Sequence, residues 1–227
     1  MASSSTRADW LVPAALIALS AVPVVAGAVR VGELASGSAV TPENARFFAA
    51  PVPVVLHILA ATPYCLLGAL QFSAGLRRRR PAWHRRSGRV LAPLGIVAAL
   101  TGVWMTLSYD LPDVDGGPLG ALGLLRLGFG TAMAACIVLG FAAIRRGRVA
   151  AHRAWMMRGY AIGVAAGTQV LTSVPWLVAV GEMGETSRAL TMGAGWVVNL
   201  AVAEWVIRAR PVRAGRGPAP AVPAARA

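Results

Sequence analysis

The residues that could carry chemistry in this chain are three histidines, and two of them stand in a repeated basic motif. The motif Arg-x-x-x-His-Arg spans Arg80–Arg85 and recurs at Arg148–Arg153, each time between two long apolar runs. Two imidazoles on different helices can hold a haem iron axially, and neighbouring arginines can pair with its propionates. His84 and His152 are therefore candidate ligands, with haem b as the implied cofactor. The alternative is that both residues anchor helix starts among lipid phosphates.

The third histidine, His57, falls within an apolar run rather than at its end. A titratable group inside a membrane span is costly to keep, so it has either a structural partner or a function. One interpretation is a histidine that hydrogen-bonds to a neighbouring helix. The other is a proton relay or ligand, and the sequence leaves both open.

Several common catalytic patterns are missing from the sequence. There is no HExxH, no CxxC, no phosphate-binding glycine loop and no pair of carboxylates within the apolar runs. Hydrolytic and nucleotide-dependent mechanisms therefore lack their usual residues, the chain is not expected to be an enzyme of those kinds, and no metal centre is predicted.

Polar residues within the apolar runs predict a partly polar interior. Arg126 lies about two turns into its run and needs a partner or water; the aspartates at 110, 113 and 115 are candidates for an ion pair, and an anion or substrate site is the alternative. Glu204 precedes Arg208 by four residues, a spacing that favours an intrahelical pair. The residues predicted to line the polar interior are Arg126, Arg158, Gln169, Asn199 and Glu204.

The elements that must position these residues are membrane helices. Hydrophobic residues make up 56% of the chain and its mean hydropathy is +0.61, which is too apolar for an ordinary soluble domain. Six segments approach or exceed the length needed to cross a bilayer. They cover roughly 10–29, 53–74, 90–109, 119–144, 155–180 and 189–208. The predicted fold is an all-α, six-helix polytopic bundle over 10–208, preceded by a short segment 1–9 and followed by a disordered basic tail, 209–227.

The first apolar run has a second interpretation. Arg7 precedes it, and Ala26-Gly27-Ala28 resembles the cleavage site of a secretory signal. The run is longer than the hydrophobic part of an ordinary signal peptide, which favours a membrane span that is retained.

Arginine counts predict the orientation. The connections around 75–89 and 145–154 and the tail after the last span are rich in arginine, whereas the other three connections hold most of the acidic residues. Arginine-rich loops stay in the cytoplasm, so both termini are expected there and the protein is expected in a bacterial inner membrane. Four arginines form a predicted collar for lipid headgroups: Arg80, Arg85, Arg148 and Arg153. The net charge of +13 is thus assigned to membrane lipids and not to nucleic acid.

Glycines at four-residue spacing, Gly159, Gly163 and Gly167, predict a seam at which a neighbouring helix packs closely. A substrate-lining face is the alternative, given the nearby Gln169. Cys65 and Cys136 both lie within apolar runs, which predicts buried, inert thiols.

Taken in order, these motifs resemble a known family. The residues that carry the resemblance are His57, the stretch Gly68–Ser73, Leu76-Arg77, Pro81, His84-Arg85, Gly88-Arg89 and, later, His152-Arg153-x-Trp155-Met156-x-Arg158-x-Tyr160. The pattern is similar to the bacterial membrane proteins of domain-of-unknown-function family 2306, over about residues 50–205. The resemblance implies a multi-helix integral membrane protein with recurring histidines at these three positions, and it implies no activity.

Two classes of function remain after this reading. The first is a helical bundle that binds or moves a small molecule or lipid, using the polar interior. The second is a haem- or quinone-linked redox protein that uses His84 and His152. The sequence leaves open whether the chain forms a homo-oligomer.

Overall fold

The structure, a computed structural model, describes residues 3–209, and this part of the chain contains helices and no strand. Five helices are long and apolar enough to cross a membrane, and a sixth span results if the bent pair α7–α8 is counted as one. The prediction of an all-α, multi-pass membrane protein is confirmed. The helices are α1 Ser3–Ser36, α2 Ala45–Ala49, α3 Pro51–Leu70, α4 Ala74–Arg79, α5 Pro81–Ser108, α6 Ala121–Arg145, α7 Val149–Gly163, α8 Ala165–Val180 and α9 Glu185–Ala209, with a 3-10 turn at Asp113–Asp115 between α5 and α6.

The helix boundaries differ from the predicted spans, most of all in α1, which continues to Ser36, and in α5, which begins at Pro81. The span expected over 53–74 ends at Leu70, because the chain turns there and the Ser73 hydroxyl accepts a hydrogen bond from the Leu76 amide (3.2 Å), which starts α4. At the N-terminal side, α1 begins at Ser3, within the segment predicted to precede the first span. The predicted disordered tail lies outside the described residues except for Ala209.

The span predicted over 155–180 is not a single helix. It breaks at Val164, and α7 and α8 are inclined at 45°. Side chains from other helices serve carbonyls in the last turn of α7: Asn199 Nδ2 donates to the Ala161 oxygen (3.0 Å), and Cys65 Sγ donates to the Gly163 oxygen (3.8 Å). A bend at membrane depth is tolerated where neighbouring helices serve the backbone in this way.

The repeated motif starts two helices in the same way. Arg80 and Arg148 each occupy the non-helical position directly before a helix, α5 and α7 respectively. The backbone amides of His84 and His152 donate to the carbonyls of those arginines, at 3.2 and 2.9 Å. The repeat therefore marks two equivalent helix starts at one end of the bundle.

The ends of the bundle have different charge. We call the end formed by residues 37–50, 109–120 and 181–184 the acidic end, and the end formed by 71–80 and 146–148 the basic end. At the acidic end the Tyr109 hydroxyl donates to the Ala50 carbonyl (2.7 Å) and Arg188 pairs with Asp115. At the basic end Arg78 pairs with Asp9 (3.6 Å).

Glycines allow the central helices to pack closely, as the four-residue spacing of Gly159, Gly163 and Gly167 predicted. The ring of Tyr64 lies between Gly95 and Gly163, where added Cβ atoms would stand 2.5 and 2.7 Å from the ring carbons. A Cβ on Gly167 would overlap the backbone carbonyl of Leu19 in α1. The prediction of a packing seam is therefore confirmed for Gly163 and Gly167, which contact different neighbours because the helix bends between them.

Candidate functional site

A cavity of about 380 Å³ opens between the helices toward the acidic end of the bundle. Its walls come from α3, α5, α6, α7, α8 and α9, and the loops of the acidic end contribute to its mouth. This volume falls in the range of pockets that hold small molecules. The cavity brings together three residues that the sequence singled out separately, namely His57, Arg126 and Gln169.

Three guanidinium groups and one carboxylate line the mouth of the cavity. Asp115 is 3% exposed, and it accepts hydrogen bonds from Arg126 Nη1 (2.9 Å) and from Arg188 Nε. The third guanidinium, that of Arg46, stacks on the Phe47 ring with its carbon 4.6 Å from the ring centroid. Among the residues that line the cavity, guanidinium groups therefore outnumber carboxylates by three to one.

The Asp113–Asp115 turn places this carboxylate. The Asp115 amide donates to the Pro112 carbonyl (2.8 Å), which closes the turn. Gly116 follows with φ 71°, a left-handed conformation that favours glycine, and a Cβ there would overlap the Glu185 side chain. The chain can thus reverse direction directly after Asp115 and direct α6, with Arg126, back along the cavity.

His57 has one ring nitrogen committed to the protein. Nδ1 lies 2.9 Å from the Ala98 carbonyl oxygen and 3.1 Å from Thr101 Oγ1. The carbonyl can only accept, so Nδ1 carries the proton and donates. Nε2 has no hydrogen-bond partner among the described residues. His57 is thus hydrogen-bonded to a neighbouring helix, and its role as a relay or ligand stays a prediction.

The cavity is lined mostly by apolar side chains. Met105, Met133, Met192 and Trp196 line it, and Trp196 is stacked on Phe129 with ring centroids 4.8 Å apart. Methionine side chains adapt to ligands of irregular shape. The cavity thus combines a cationic mouth with apolar walls.

Two polar residues border this apolar region. Gln169 is buried, and its Nε2 donates to the Met192 carbonyl (3.1 Å). Tyr64 is 3% exposed, and its hydroxyl has no hydrogen-bond partner among the described residues. A buried hydroxyl without a partner is unusual.

Tyr109 fixes the rim between α3 and α5. It stands just beyond the end of α5, donates its hydroxyl to the Ala50 carbonyl (2.7 Å) and accepts a hydrogen bond from the Val54 amide (3.2 Å). Burial raises the pKa of the Tyr109 phenol, so it stays protonated and keeps donating at neutral pH.

The other residues of the predicted polar interior lie elsewhere. Asn199 joins α9 to the bend, accepting from Thr168 Oγ1 (2.8 Å) and donating to the Ala161 carbonyl. Glu204 pairs with Arg158 of α7 through two hydrogen bonds, and it lies 3.9 Å from Arg208. The five predicted residues therefore do not share one interior: Arg126 and Gln169 line the cavity, and the other three connect α9 to α7 and α8.

The two motif histidines lie in the first turns of α5 and α7, which both start at the basic end. His152 Nδ1 donates to the Gly140 carbonyl (2.8 Å), whereas His84 Nδ1 is buried and has no hydrogen-bond partner among the described residues. No cluster of three or more histidine, cysteine, aspartate or glutamate side chains that could hold a metal occurs within residues 3–209.

The arginines of the predicted collar differ in their surroundings. Arg80, Arg85 and Arg148 are exposed, whereas Arg153 is half-buried and its Nη2 donates to the Val206 carbonyl (3.3 Å). Arg77 of α4 lies near Arg153. Burial and the neighbouring cations Arg153 and Arg78 lower the pKa of the Arg77 guanidinium. The basic end thus concentrates positive charge.

Sequence reasoning missed Arg46, Arg188 and Tyr64. Both arginines stand at the acidic end, in connections that were treated as poor in arginine. Arginines on that side are exceptions to the positive-inside pattern, and this exception was the available signal. Tyr64 had no signal of its own, because an aromatic residue in an apolar run is ordinary.

A search for relatives agrees with this architecture. The family model described as "Predicted membrane protein (DUF2306)" matches residues 54–207, more than half of the chain, and this segment contains His57, Arg126 and Arg188. No curated protein and no solved structure matches the chain. The chain therefore belongs to the DUF2306 family of membrane proteins, and the family expected from the motifs is confirmed.

Proposed function

We propose that this protein binds a small amphiphilic anion in the cavity at its acidic end. The observation that carries the proposal is the excess of guanidinium groups over carboxylates among the residues that line a cavity with mostly apolar walls. A sulfonate, carboxylate or phosphate head fits the mouth, and a hydrocarbon chain fits the methionine-lined interior.

The charge arrangement favours a ligand over a purely structural role. A structural ion pair requires one cation for the Asp115 carboxylate, and Arg126 alone would supply it. Arg188 adds a second cation to the same carboxylate, and both arginine side chains keep partial exposure, 22% and 33%. Guanidinium groups have five donors each, so both retain donors for an incoming anion.

The experiment measures binding of 1-decanesulfonate to the purified full chain in nanodiscs of neutral phosphatidylcholine, by isothermal titration calorimetry against empty nanodiscs. A sulfonate stays ionised throughout the accessible pH range, so its charge does not vary. We expect saturable binding of the sulfonate and much weaker binding of 1-decanol and decyltrimethylammonium, which have the same chain with a neutral or cationic head. Equal binding of all three would reject an anion site.

Two variants test the mouth directly. Arg126→Gln and Arg188→Gln each leave Asp115 with one partner, so the fold keeps an ion pair at this position. Loss of a charged hydrogen bond corresponds to about 1.5–3 kcal/mol, so each variant should weaken sulfonate binding by roughly tenfold or more. Arg79→Gln, an exposed position at the basic end, is the matched control and should bind as the wild type does. Unchanged affinity in both mouth variants would contradict the proposal.

A second candidate function rests on His84 and His152, which lie in the first turns of two helices at the same end of the bundle, and on the buried Nδ1 of His84, which has no hydrogen-bond partner among the described residues. This arrangement supports a haem-linked redox protein. The test is the visible spectrum of protein purified from haem-replete cells. A Soret band that disappears in both His84→Gln and His152→Gln would support this candidate, whereas a wild-type protein without the band would reject the haem.

A further inference from the structure

We propose that anion binding in the cavity is coupled to the uptake of one proton by His57. The inference rests on the proposed function and adds to it a second, positively charged ligand, the proton. The protein would then take up an amphiphilic anion and a proton together, as a proton-coupled anion carrier must.

The hydrogen bonds of His57 fix the tautomer of its ring. Thr101 Oγ1 donates to the Val97 carbonyl (2.6 Å), so its lone pair is free to accept, and both groups near Nδ1 act as acceptors. Because Nδ1 keeps its proton, the site of proton uptake is Nε2. Protonation there produces an imidazolium without breaking the bonds that hold the ring.

The His57 ring and Arg126 lie at similar depth in the bundle. His57 is six residues beyond the start of α3, and Arg126 is five residues beyond the start of α6, and both helices begin at the acidic end. With a rise of about 1.5 Å per residue, the two residues lie about 9 and 8 Å from those starts, and thus at similar depth. Both line the same cavity, so an anion held by Arg126 lies at the level of the imidazole.

The charged side chains around the His57 imidazole are mostly cations. Towards the cavity, α5, α7 and α8 present no charged side chain, and Tyr64 and Cys65 of α3 are neutral. In α1, Arg30 and Glu33 pair with each other. The charged groups that share the cavity with His57 are Arg46, Asp115, Arg126 and Arg188. This set has more cations than anions, so it opposes a proton on His57 while the cavity is empty, and a bound anion offsets that opposition.

The coupling is reciprocal. If a bound anion favours the proton, a proton must favour the anion by the same factor. Affinity for the sulfonate should therefore rise as the pH falls, by at most about tenfold per pH unit for one proton.

The experiment repeats the 1-decanesulfonate titration between pH 5.5 and 8.5 and follows proton uptake with an indicator dye in weakly buffered solution. We expect affinity to increase by more than threefold across this range, with measurable proton uptake per bound sulfonate that falls to zero at both pH extremes. Calorimetry in buffers of different ionisation enthalpy gives an independent proton count. Binding that is independent of pH, without proton uptake, would overturn the coupling and leave the proposed function intact, whereas absence of binding would overturn the proposed function itself.

Two variants assign the proton. His57→Gln retains an amide that can donate to the Ala98 carbonyl, so it should bind the sulfonate with an affinity that no longer depends on pH. Arg79→Gln, an exposed position at the opposite end of the bundle, is the control and should keep the wild-type pH dependence. If His57→Gln does not fold, the proton count of the wild type and of Arg79→Gln still decides whether uptake occurs. If the sulfonate affinity of a folded His57→Gln protein still depends on pH, the assignment of the proton to His57 is contradicted.

Discussion

The side-chain amide of Asn199 donates a hydrogen bond to the carbonyl oxygen of Ala161, 3.0 Å away, in the last turn of α7. This turn precedes the bend between α7 and α8, and a carbonyl in the last turn of a helix has no intrahelical donor of its own. Asn199 thus links α9 to the bend, and Thr168 Oγ1, just beyond the bend, donates to its side-chain oxygen (2.8 Å).

Replacing Asn199 with leucine should destabilise the bundle. The substitution removes both hydrogen bonds at membrane depth, where water does not replace them, and we expect a loss of about 1–2 kcal/mol. The measurement is the thermal unfolding midpoint in detergent. Thr131→Ala is the control, because the Thr131 hydroxyl bonds only to carbonyls of its own helix, α6, and is exposed. Equal midpoints for Asn199→Leu and wild type would show that the bend does not depend on this link.

Gly167→Ala should destabilise the protein, although alanine has the higher helix propensity. The added Cβ would overlap the Leu19 carbonyl in the backbone of α1, which can make room only if the two helices separate. Gly128→Ala is the matched control, since no atom outside its own helix lies within 4 Å of a Cβ at that position. We expect the control to match or exceed wild-type stability, by up to about 1 kcal/mol, and Gly167→Ala to unfold at a lower temperature. The opposite order would mean that α1 does not pack against α8 in this way.

The membrane spans could be predicted from the sequence, because the hydrocarbon core of a membrane offers no water to the backbone. Few structures hydrogen-bond every backbone group internally, and a long apolar helix is one of them. Length and apolarity were sufficient for α1, α3, α5, α6 and α9. The bend at Val164 could not be predicted, because the side chains that serve its carbonyls, those of Cys65 and Asn199, are distant in sequence.

The candidate site was only partly accessible to sequence reasoning. Arg126 was singled out because a charged residue in an apolar run needs a partner, and Asp115 was among the partners named. Arg188 was not singled out, because it fell in a predicted loop, where an arginine has access to water and needs no partner. Glu204 shows the same limit: the spacing indicated Arg208, whereas the closer partner, Arg158, lies on another helix.

Asp115→Asn should destabilise the acidic end by about 1.5–3 kcal/mol, the range for a hydrogen bond to a charged group. The substitution removes the carboxylate that Arg126 and Arg188 share, so two partly buried cations face each other. Adding 1-decanesulfonate should raise the unfolding midpoint more in this variant than in wild type, because the ligand supplies the missing negative charge. Asp113→Asn, an exposed position in the same turn, is the control and should behave as wild type. A variant that the sulfonate does not stabilise would argue against binding at this mouth.

The orientation of the bundle is the last prediction. Because arginine-rich connections are retained in the cytoplasm, we expect the basic end to face the cytoplasm and the cavity mouth to open on the other side. Reporter fusions after residues 80 and 148 should behave as cytoplasmic, and fusions near residues 40, 114 and 184 as external. An external signal from residue 148 would invert the bundle and place the anion site in contact with the cytoplasm. A cytoplasmic signal there and an external one at residue 114 would instead place Asp115 and its two arginines where an amphiphilic anion arrives from outside.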